Sequence, residues 1–495
     1  MRTFRRCRCC YVLFALVAAC ITISTSDALV TPSRHHAVVV TASKPTSSST
    51  LTTRSKTQLG NDAAAAAAAA SELPRGGASS NNNNNNNNKE SGGTATIPNE
   101  VFNLIKSIVG AGVLSLPAGV AVFGNAPSAI IPASILITVM GIISAYTFAL
   151  IGRVSKSTNT MSYSDAWDAT VGKSTSYIIA FSCFIDCWFG NLSYSMILAD
   201  TITNLLASVG IAATRTQSLL GVTSVVLLPL CLMKNLSSLA PFSLVGIIGM
   251  LYTTFAMAMR YFGGSYVVPG GQFAATALTA PVFGTAGAKA ALSAKSLILT
   301  CMLSNAYIAH FNAPKYLAEL KNNTMGRFTQ VISWSFASSI ALYCIITALG
   351  FLTFGAASNG LILNNYSTKD TLMSLARIAV ALSVTGSYPL LFDGTRDGLL
   401  DLFKVPQEKR TNSLFNKLTL GVLAATTLVA SKLTDLGLVA SVGGATFGTA
   451  LVFIYPTIMF IKSQGGNKTK ETTLAKIIAV LGVVMGAIGT KLALN

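Results

Sequence analysis

The sequence predicts an all-α polytopic membrane protein of about eleven transmembrane helices, and three observations support this fold class. Apolar residues make up 51% of the 495-residue chain and charged residues only 11%, whereas soluble proteins carry about 25% charged residues. After residue 97, apolar runs of about 20 residues, the length that a bilayer core requires, recur to the C-terminus. Basic residues are also distributed unequally between alternate loops, as in membrane proteins of fixed orientation.

Residues 1–28 are predicted to be a signal peptide. Four arginines lie within the first eight residues, an apolar stretch covers residues 11–23, and Ser26 and Ala28 supply small residues where a signal peptidase reads. The alternative is a short lipid-facing anchor, with the cysteines at positions 7, 9 and 10 as acylation sites.

Residues 29–60 have the composition of a transit peptide, because they are rich in Ser and Thr, carry basic residues and lack acids. The order of the two segments resembles the bipartite plastid leader of algae with complex plastids. Leu29 would follow the cleavage point, where aromatic residues are commoner in such leaders. The alternative is a disordered tail. Residues 61–96, with their alanine and asparagine runs, are predicted to be a disordered low-complexity linker.

Residues 97–495 are predicted to form one transmembrane domain. Apolar runs, breakers and charges place the predicted helices, numbered 1 to 11, at residues 99–123, 126–152, 175–208, 217–233, 237–262, 291–320, 326–355, 371–403, 414–430, 436–461 and 473–494. A short amphipathic segment follows helix 2 at residues 163–171. With the N-terminus on the positive side, sixteen basic residues face that side and seven face the other. This asymmetry favours an odd number of helices.

The net charge of +18 does not indicate a nucleic-acid partner, because the basic residues of the membrane domain lie at helix ends, where they set topology. No spacing of Cys and His indicates a metal site or another cofactor. The sequence contains no paired catalytic His and no nucleophile motif in context, so it does not predict an enzyme.

Predicted helix 1 contains a candidate interruption at Gly110 and Gly112, followed by Pro117. Unwound backbone inside a bilayer survives where it lines a cavity, and its freed amides would face an anion such as a carboxylate. The alternative is close helix packing on small residues. Lys106 lies one turn earlier, and a lysine at membrane depth is costly and usually functional.

Predicted helix 6 contains the corresponding interruption, in which polar residues from Ser304 to Asn312 precede Pro314. Two interrupted helices five helices apart indicate an inverted-repeat transporter with a binding site near the midplane. The two halves show no convincing sequence identity, so the repeat is inferred from spacing alone.

These motifs resemble those of the amino acid/auxin permease family, which includes neutral, vacuolar and proton-coupled amino-acid transporters. Besides helix 1, the resemblance rests on His310 to Leu320 at the end of helix 6, Tyr388-Pro389 with Arg396 in helix 8, and the glycine-rich stretch after Asp435 in helix 10. It covers residues 97–495.

The resemblance implies two inverted five-helix repeats plus one helix, and secondary active transport of amino acids by alternating access. Neutral L-amino acids are the expected substrates. The residues that would bind the substrate carboxylate are Gly110, Ala111 and Gly112. The residues that would line its amino group and side chain are Ser304, Asn305 and Tyr307.

Ion coupling is predicted from helices 1 and 8. Sodium-coupled members of the family place an asparagine of helix 1 and a Ser or Thr of helix 8 near the cation. Here Lys106 takes the asparagine position, while Thr385 and Ser387 are available on helix 8. Two cations in contact repel strongly at low dielectric, so we expect sodium-independent transport, by proton symport or by exchange.

Two further residues are candidates for carrying the proton. Asp186 lies within helix 3, where a bare carboxylate is costly. His310 has the most suitable unperturbed titration range, but helix-end packing is an equally good explanation for it.

An amino-acid sensor on the same fold is the alternative from another class, and a flux measurement separates the two. The destination membrane is open: the leader favours a plastid membrane, and the alternatives are vacuolar, other endomembrane or plasma membranes.

Overall fold

The computed structural model describes residues 93–233, 240–403 and 405–495. The predicted signal peptide and transit-like segment, and the predicted linker up to residue 92, lie outside the described residues. Within these ranges the chain is helical without a strand, apart from two isolated β-bridges. This confirms the all-α class.

The helices follow the predicted order. They are α1 (Ile97–Ile108), α2 (Leu116–Ala121), α3 (Ile130–Thr158), α4 (Tyr163–Thr170), α5 (Ser176–Ser208), α6 (Arg215–Leu232), α7 (Ala240–Phe262), α8 (Ser296–Ala306), α9 (Ala313–Glu319), α10 (Met325–Phe354), α11 (Thr371–Leu402), α12 (Asn412–Lys432), α13 (Leu436–Ser463) and α14 (Lys470–Leu494). Predicted helix 1 corresponds to α1 with α2, and predicted helix 6 to α8 with α9.

Among the described residues, seven helices are long and apolar enough to cross a membrane, and α1 with the bent segment that follows makes an eighth. The other three predicted spans form helices at their predicted places, namely α5, α7 and the α8–α9 pair. The count of eleven crossings and the inverted repeat stay predictions. The amphipathic segment after helix 2 forms α4, which buries Tyr163 and Trp167.

Local signals explain where the helices begin. Proline occupies the first turn of α1, α2 and α9, where its missing N–H costs nothing. Side-chain oxygens of Ser, Thr or Asp accept hydrogen bonds from first-turn amides of seven helices; these residues are Ser162, Thr214, Thr324, Asp370, Thr411, Asp435 and Thr469.

The helices differ strongly in burial, and this defines the centre of the bundle. The most apolar stretch of α13 is 89% buried, whereas that of α14 is only 17% buried. Two wide turns of π-helix interrupt α13: Gly444–Gly448 packs against α8, and Ala450–Ile454 packs against α14 and α3. Around this centre, α5 packs along α11 and α3 packs along α10.

The N-terminal end of the described chain is attached to α9. Residues 93–96, the last four of the predicted linker, run beside the end of α9, and the Ala95 amide donates to the carbonyl of Glu319 at 3.0 Å. The amide of Lys321 donates back to the Ala95 carbonyl at 2.8 Å. The start of α1 therefore lies against α9.

Candidate functional site

Helix 1 is interrupted at its predicted place. We name residues 109–115 the first break: Val109 and Gly110 leave the helix, and a 3-10 turn, Ala111–Ser115, leads into α2. The helix axis bends by 43° here. Gly110 is extended, with φ −99° and ψ −177°, so the amides that follow lack the helical acceptors that an unbroken helix would provide.

The glycines of the first break leave room beside the backbone. A Cβ atom at Gly112 would meet nothing within 4 Å, and one at Gly110 would meet only the Tyr194 hydroxyl at 3.6 Å. The backbone of this turn is therefore accessible to a small molecule, which favours the cavity-lining interpretation of the glycines over close helix packing.

Helix 6 is also interrupted at its predicted place. We name residues 307–312 the second break: α8 ends at Ala306, and a 3-10 turn, His310–Asn312, leads into α9. Side chains fill this break. Tyr307 is fully buried, its hydroxyl donates to the Ile137 carbonyl at 3.1 Å, and its ring packs 4.8 Å from that of Tyr343.

Tyr343 of α10 connects the two breaks. Its hydroxyl lies 2.7 Å from the carbonyl of Ile108, the last residue of α1, and 2.7 Å from that of Ala306, the last residue of α8. One hydroxyl proton serves one carbonyl at a time, so Tyr343 can exchange its bond between the two helix ends.

A cavity of about 150 Å³ lies between the two breaks. This volume resembles that of cavities that hold a benzene-sized molecule. Part of its lining consists of polar and small residues from α1, the first break, α5, α8 and α10. These residues are Ser107, Gly110, Ala111, Gly112, Ser115, Asp186, Ser193, Tyr194, Asn305 and Tyr343. Apolar residues of α11 and α13, such as Leu391 and Ala440, complete the wall.

The carboxylate group in the cavity lining belongs to Asp186. It lies ten residues into α5 and is buried. Within the described part of the chain, no hydrogen bond or ion pair reaches this carboxylate. Because an unpaired buried charge is costly, the group is suited to binding a proton or the ammonium group of a ligand.

The loop between α10 and α11 covers the first break. Its 3-10 turn, Ile362–Asn365, packs against the turn of the first break. Fully buried Arg377 donates hydrogen bonds to three carbonyls of this loop, those of Leu363, Tyr366 and Ser367. The Asn364 amide donates to Asp200 of α5 at 2.8 Å. The cavity is therefore closed on this side.

The structure brings together five of the residues predicted from the sequence: Gly110, Ala111, Gly112, Asn305 and Asp186 all line the cavity. Ser304, adjacent to Asn305, is fully buried, and its hydroxyl donates to the Thr300 carbonyl at 3.0 Å. Tyr307 packs within the protein, as described above. Neither Ser304 nor Tyr307 is among the residues that line the cavity.

Four predicted ion-coupling residues lie outside the lining. Lys106 is half-buried in the last turn of α1, and Thr385 and Ser387 are half-buried on α11. His310 is fully buried beside α3, where its Nε2 lies 3.1 Å from the Ser144 carbonyl and 3.0 Å from the Thr147 hydroxyl, with Phe148 packed edge-on. These contacts favour the packing explanation for His310.

The cavity residues that the sequence analysis missed include Tyr343 and Ser193. Tyr343 lies in an apolar helix without a breaker or a charge nearby, so no local signal distinguishes it from a packing residue, whereas Ser193 lies two turns after Asp186 on the same helix. Tyr343 is also far from both breaks in sequence, and only the folded bundle brings it into contact with them.

Two interrupted helices that meet at a cavity with a polar lining, inside a bundle of membrane-crossing helices, are typical of membrane transporters. The chain matches the family model "Transmembrane amino acid transporter protein" over residues 93–494. It belongs to this family, which confirms the resemblance seen in the sequence. The family is one of transporters rather than enzymes, as predicted.

Curated relatives agree with this assignment. The chain is similar to "Putative sodium-coupled neutral amino acid transporter 11" of Danio rerio, with 26% identity over 410 residues, covering 80% of this chain and 86% of the relative. It is also similar to "Vacuolar amino acid transporter 5" of Schizosaccharomyces pombe, with 24% identity over 428 residues, 81% of this chain and 94% of the relative.

Among solved structures, the chain is similar to MhsT in complex with L-phenylalanine, with 11% sequence identity and a TM-score of 0.46 over 80% of this chain and 98% of that one.

Proposed function

We propose that this transporter moves neutral L-amino acids by alternating access, without sodium, by proton symport or by exchange. One observation carries the proposal: the glycine backbone of the first break and the Asp186 carboxylate line the same small cavity. The first can hold a carboxylate through backbone amides, and the second can hold an ammonium group or a proton.

The charge of the lining supports a neutral substrate. Of the described residues that line the cavity, Asp186 is the single acid and none is Lys, Arg or His. A second negative charge on the substrate would find only the like charge of Asp186, which is repulsive at low dielectric. The volume of about 150 Å³ favours small substrates.

The residues around helix 1 support independence from sodium. Lys106 takes the place of the asparagine that approaches sodium in the sodium-coupled family members, and a second cation there would be repelled. Thr385 and Ser387 are outside the cavity lining. Asp186 therefore remains as the acid that can take up a proton beside the substrate, and we favour it over His310.

Uptake into liposomes tests this proposal. The full chain is reconstituted, and uptake of a panel of radiolabelled amino acids is measured with an imposed proton gradient, a sodium gradient, or choline in place of sodium. We expect neutral amino acids to be taken up without sodium. Stimulation by a proton gradient would indicate symport, and counterflow without a gradient would indicate exchange. An absolute requirement for sodium would contradict the proposal.

Asp186→Asn refines this test, because the amide keeps the size of the side chain and loses its proton affinity. Gradient-driven uptake should fall about 10²-fold or more, the usual contribution of a positioned proton-transfer group. Asp165→Asn, at an exposed position of α4, is the matched control and should behave as wild type. Specific binding without flux in the wild-type protein would instead indicate a sensor.

For the destination membrane, we propose a plastid membrane on the composition of residues 1–60. The similarity to the vacuolar amino acid transporter of Schizosaccharomyces pombe supports an endomembrane in general. A fluorescent protein fused after residue 60 tests this: plastid fluorescence is expected, and retention in the secretory pathway would contradict it.

A further inference from the structure

A second buried carboxyl group lies outside the cavity. Glu100, in the first turn of α1, is only 1% exposed. Neither of its two oxygens has a hydrogen-bond partner among the described residues. An ionised carboxylate is very costly in such a place, whereas its neutral form is tolerated. The position is therefore suited to holding a proton.

The charged neighbours of Glu100 belong to α9. The charges of Glu319 and Lys315 both act on Glu100, and these two residues form an ion pair of 3.6 Å with each other. Two carboxylates at one site do not readily ionise together. Glu319 is ion-paired with Lys315 and partly exposed, whereas Glu100 is buried without a hydrogen-bond partner, so Glu100 is the better place for a proton. On its other side α1 packs against α10, where the Ser335 hydroxyl donates to the Val101 carbonyl.

Hydroxyl groups connect this carboxyl group with the cavity. The Tyr316 hydroxyl of α9, on which the charges of Glu100 and Glu319 both act, forms a short hydrogen bond with the Ser107 hydroxyl. It also lies 3.3 Å from the Asn103 carbonyl. Ser107 itself lines the cavity. Hydrogen bonds therefore join the cavity to Tyr316 through Ser107, while the step from Tyr316 to Glu100 is not hydrogen-bonded in this conformation.

We propose that Glu100 is a second proton-binding residue, which exchanges the transported proton with the cavity through the hydroxyl groups of Ser107 and Tyr316. Ser107 accepts a proton from the cavity and passes its own to Tyr316, whose hydroxyl turns away from the Asn103 carbonyl and passes its own proton to the Glu100 carboxylate. Both hydroxyl groups are regenerated, and Glu100 becomes neutral. Glu319, whose side chain is 32% exposed, connects the site with water. This inference rests on the proton coupling proposed above.

Glu100→Gln in the full chain tests the inference. Proteoliposomes with an internal pH dye report proton entry, accumulation of the amino acid under a proton gradient, and counterflow exchange at equal pH on both sides. We expect proton entry and accumulation to fall at least about tenfold, while counterflow stays within about twofold of wild type. Glu471→Gln, at an exposed acid paired with Arg153, is the matched control and should keep both.

Tyr316→Phe provides a second, independent variant, because it keeps the ring and removes the hydroxyl group that connects Glu100 with Ser107. It should also reduce proton entry more than counterflow. A rate of proton entry equal to that of the wild type in both variants would overturn the inference. An equal loss of accumulation and counterflow in both variants would indicate a structural role and would overturn it too.

The same experiment separates this inference from the proposed function. If the wild-type protein shows no proton-driven accumulation, the proton coupling fails and the role of Glu100 fails with it. If the wild-type protein is proton-driven and both variants are as well, only the role of Glu100 fails.

Discussion

The first and second breaks interrupt two helices that are five predicted spans apart, and they differ in what lies beside the backbone. At the first break, a Cβ at Gly112 would meet nothing within 4 Å. At the second, Tyr307 and His310 are fully buried against α3 and α10. Unwound backbone in a membrane protein must line a cavity or be enclosed by protein. The first break has open space beside its glycines, whereas the Tyr307 and His310 side chains of the second break are enclosed by protein and only its apolar Ile308 and Phe311 reach the cavity.

The largest effect is expected where the protein encloses the helix that leads into the second break. A Cβ at Gly444 of α13 would overlap the Cys301 carbonyl of α8 and lie 3.2 Å from the Asn305 Cβ. Gly444→Ala should therefore force α13 away from α8. Overpacking of this kind costs about 1–3 kcal/mol, and more where backbone has to move.

Thermal unfolding in detergent measures the effect of Gly444→Ala, and transport should be lost with stability. Gly421→Ala, where an added Cβ would meet nothing within 4 Å, is the control and should unfold as wild type does. Equal unfolding temperatures for the two variants would show that the packing of α13 on α8 is looser than described.

Gly112→Ala examines the open space at the first break. The new methyl group meets no protein atom, so the stability should be unchanged. It would occupy space that the substrate needs, and one misplaced methyl group in a pocket costs roughly 10–200-fold in specificity. KM for uptake should therefore rise about tenfold or more. Gly221→Ala, on the exposed surface of α6, is the control and should not change KM. An unchanged KM in Gly112→Ala would indicate that the substrate does not bind beside Gly112.

Tyr343→Phe removes the group that the two breaks share. The single hydroxyl proton serves either the Ile108 or the Ala306 carbonyl, so the variant loses one hydrogen bond that the two helix ends share, at a cost of about 1–3 kcal/mol. We expect the uptake rate to fall several-fold. Tyr307→Phe, which removes a single bond to Ile137, is the matched control with a smaller effect on rate. Equal rates in the two variants would mean that Tyr343 only packs.

The smallest effect on transport is expected at His310. His310→Gln can keep a hydrogen bond to the Ser144 carbonyl, so the stability cost should not exceed about 1–3 kcal/mol. The pH profile of uptake should stay that of the wild type, unlike that of Asp186→Asn. A pH profile altered by His310→Gln would indicate that His310 of the second break, rather than Asp186, carries the proton.

The contrast between the breaks also explains what the sequence could predict. Glycines at positions 110 and 112 and an acid at position 186 are costly or unusual in an apolar helix, so each identified a cavity residue. The polar residues of helix 6 were harder to interpret. Successive helical residues are turned by about 100°, and Ser304 faces its own helix while its neighbour Asn305 faces the cavity.

Other parts of the site depend on contacts between distant segments. Tyr343 lies within an apolar stretch of α10 and reaches both breaks only in the folded bundle. The loop between α10 and α11 carries turn residues typical of a surface loop, yet Leu361 and Ile362 are buried. Arg377 binds the loop through three of its backbone carbonyls. Every residue has a backbone carbonyl, so the loop sequence does not predict these contacts.

The most direct measurement is a cryo-electron microscopy structure of the full chain with the neutral amino acid that liposomes take up fastest. We predict ligand density in the cavity, with the carboxylate within about 2.7–3.2 Å of backbone amides of the first break and the ammonium group on the side of Asp186. Ligand density against His310 and Thr147 at the second break, with an empty first break, would contradict the account.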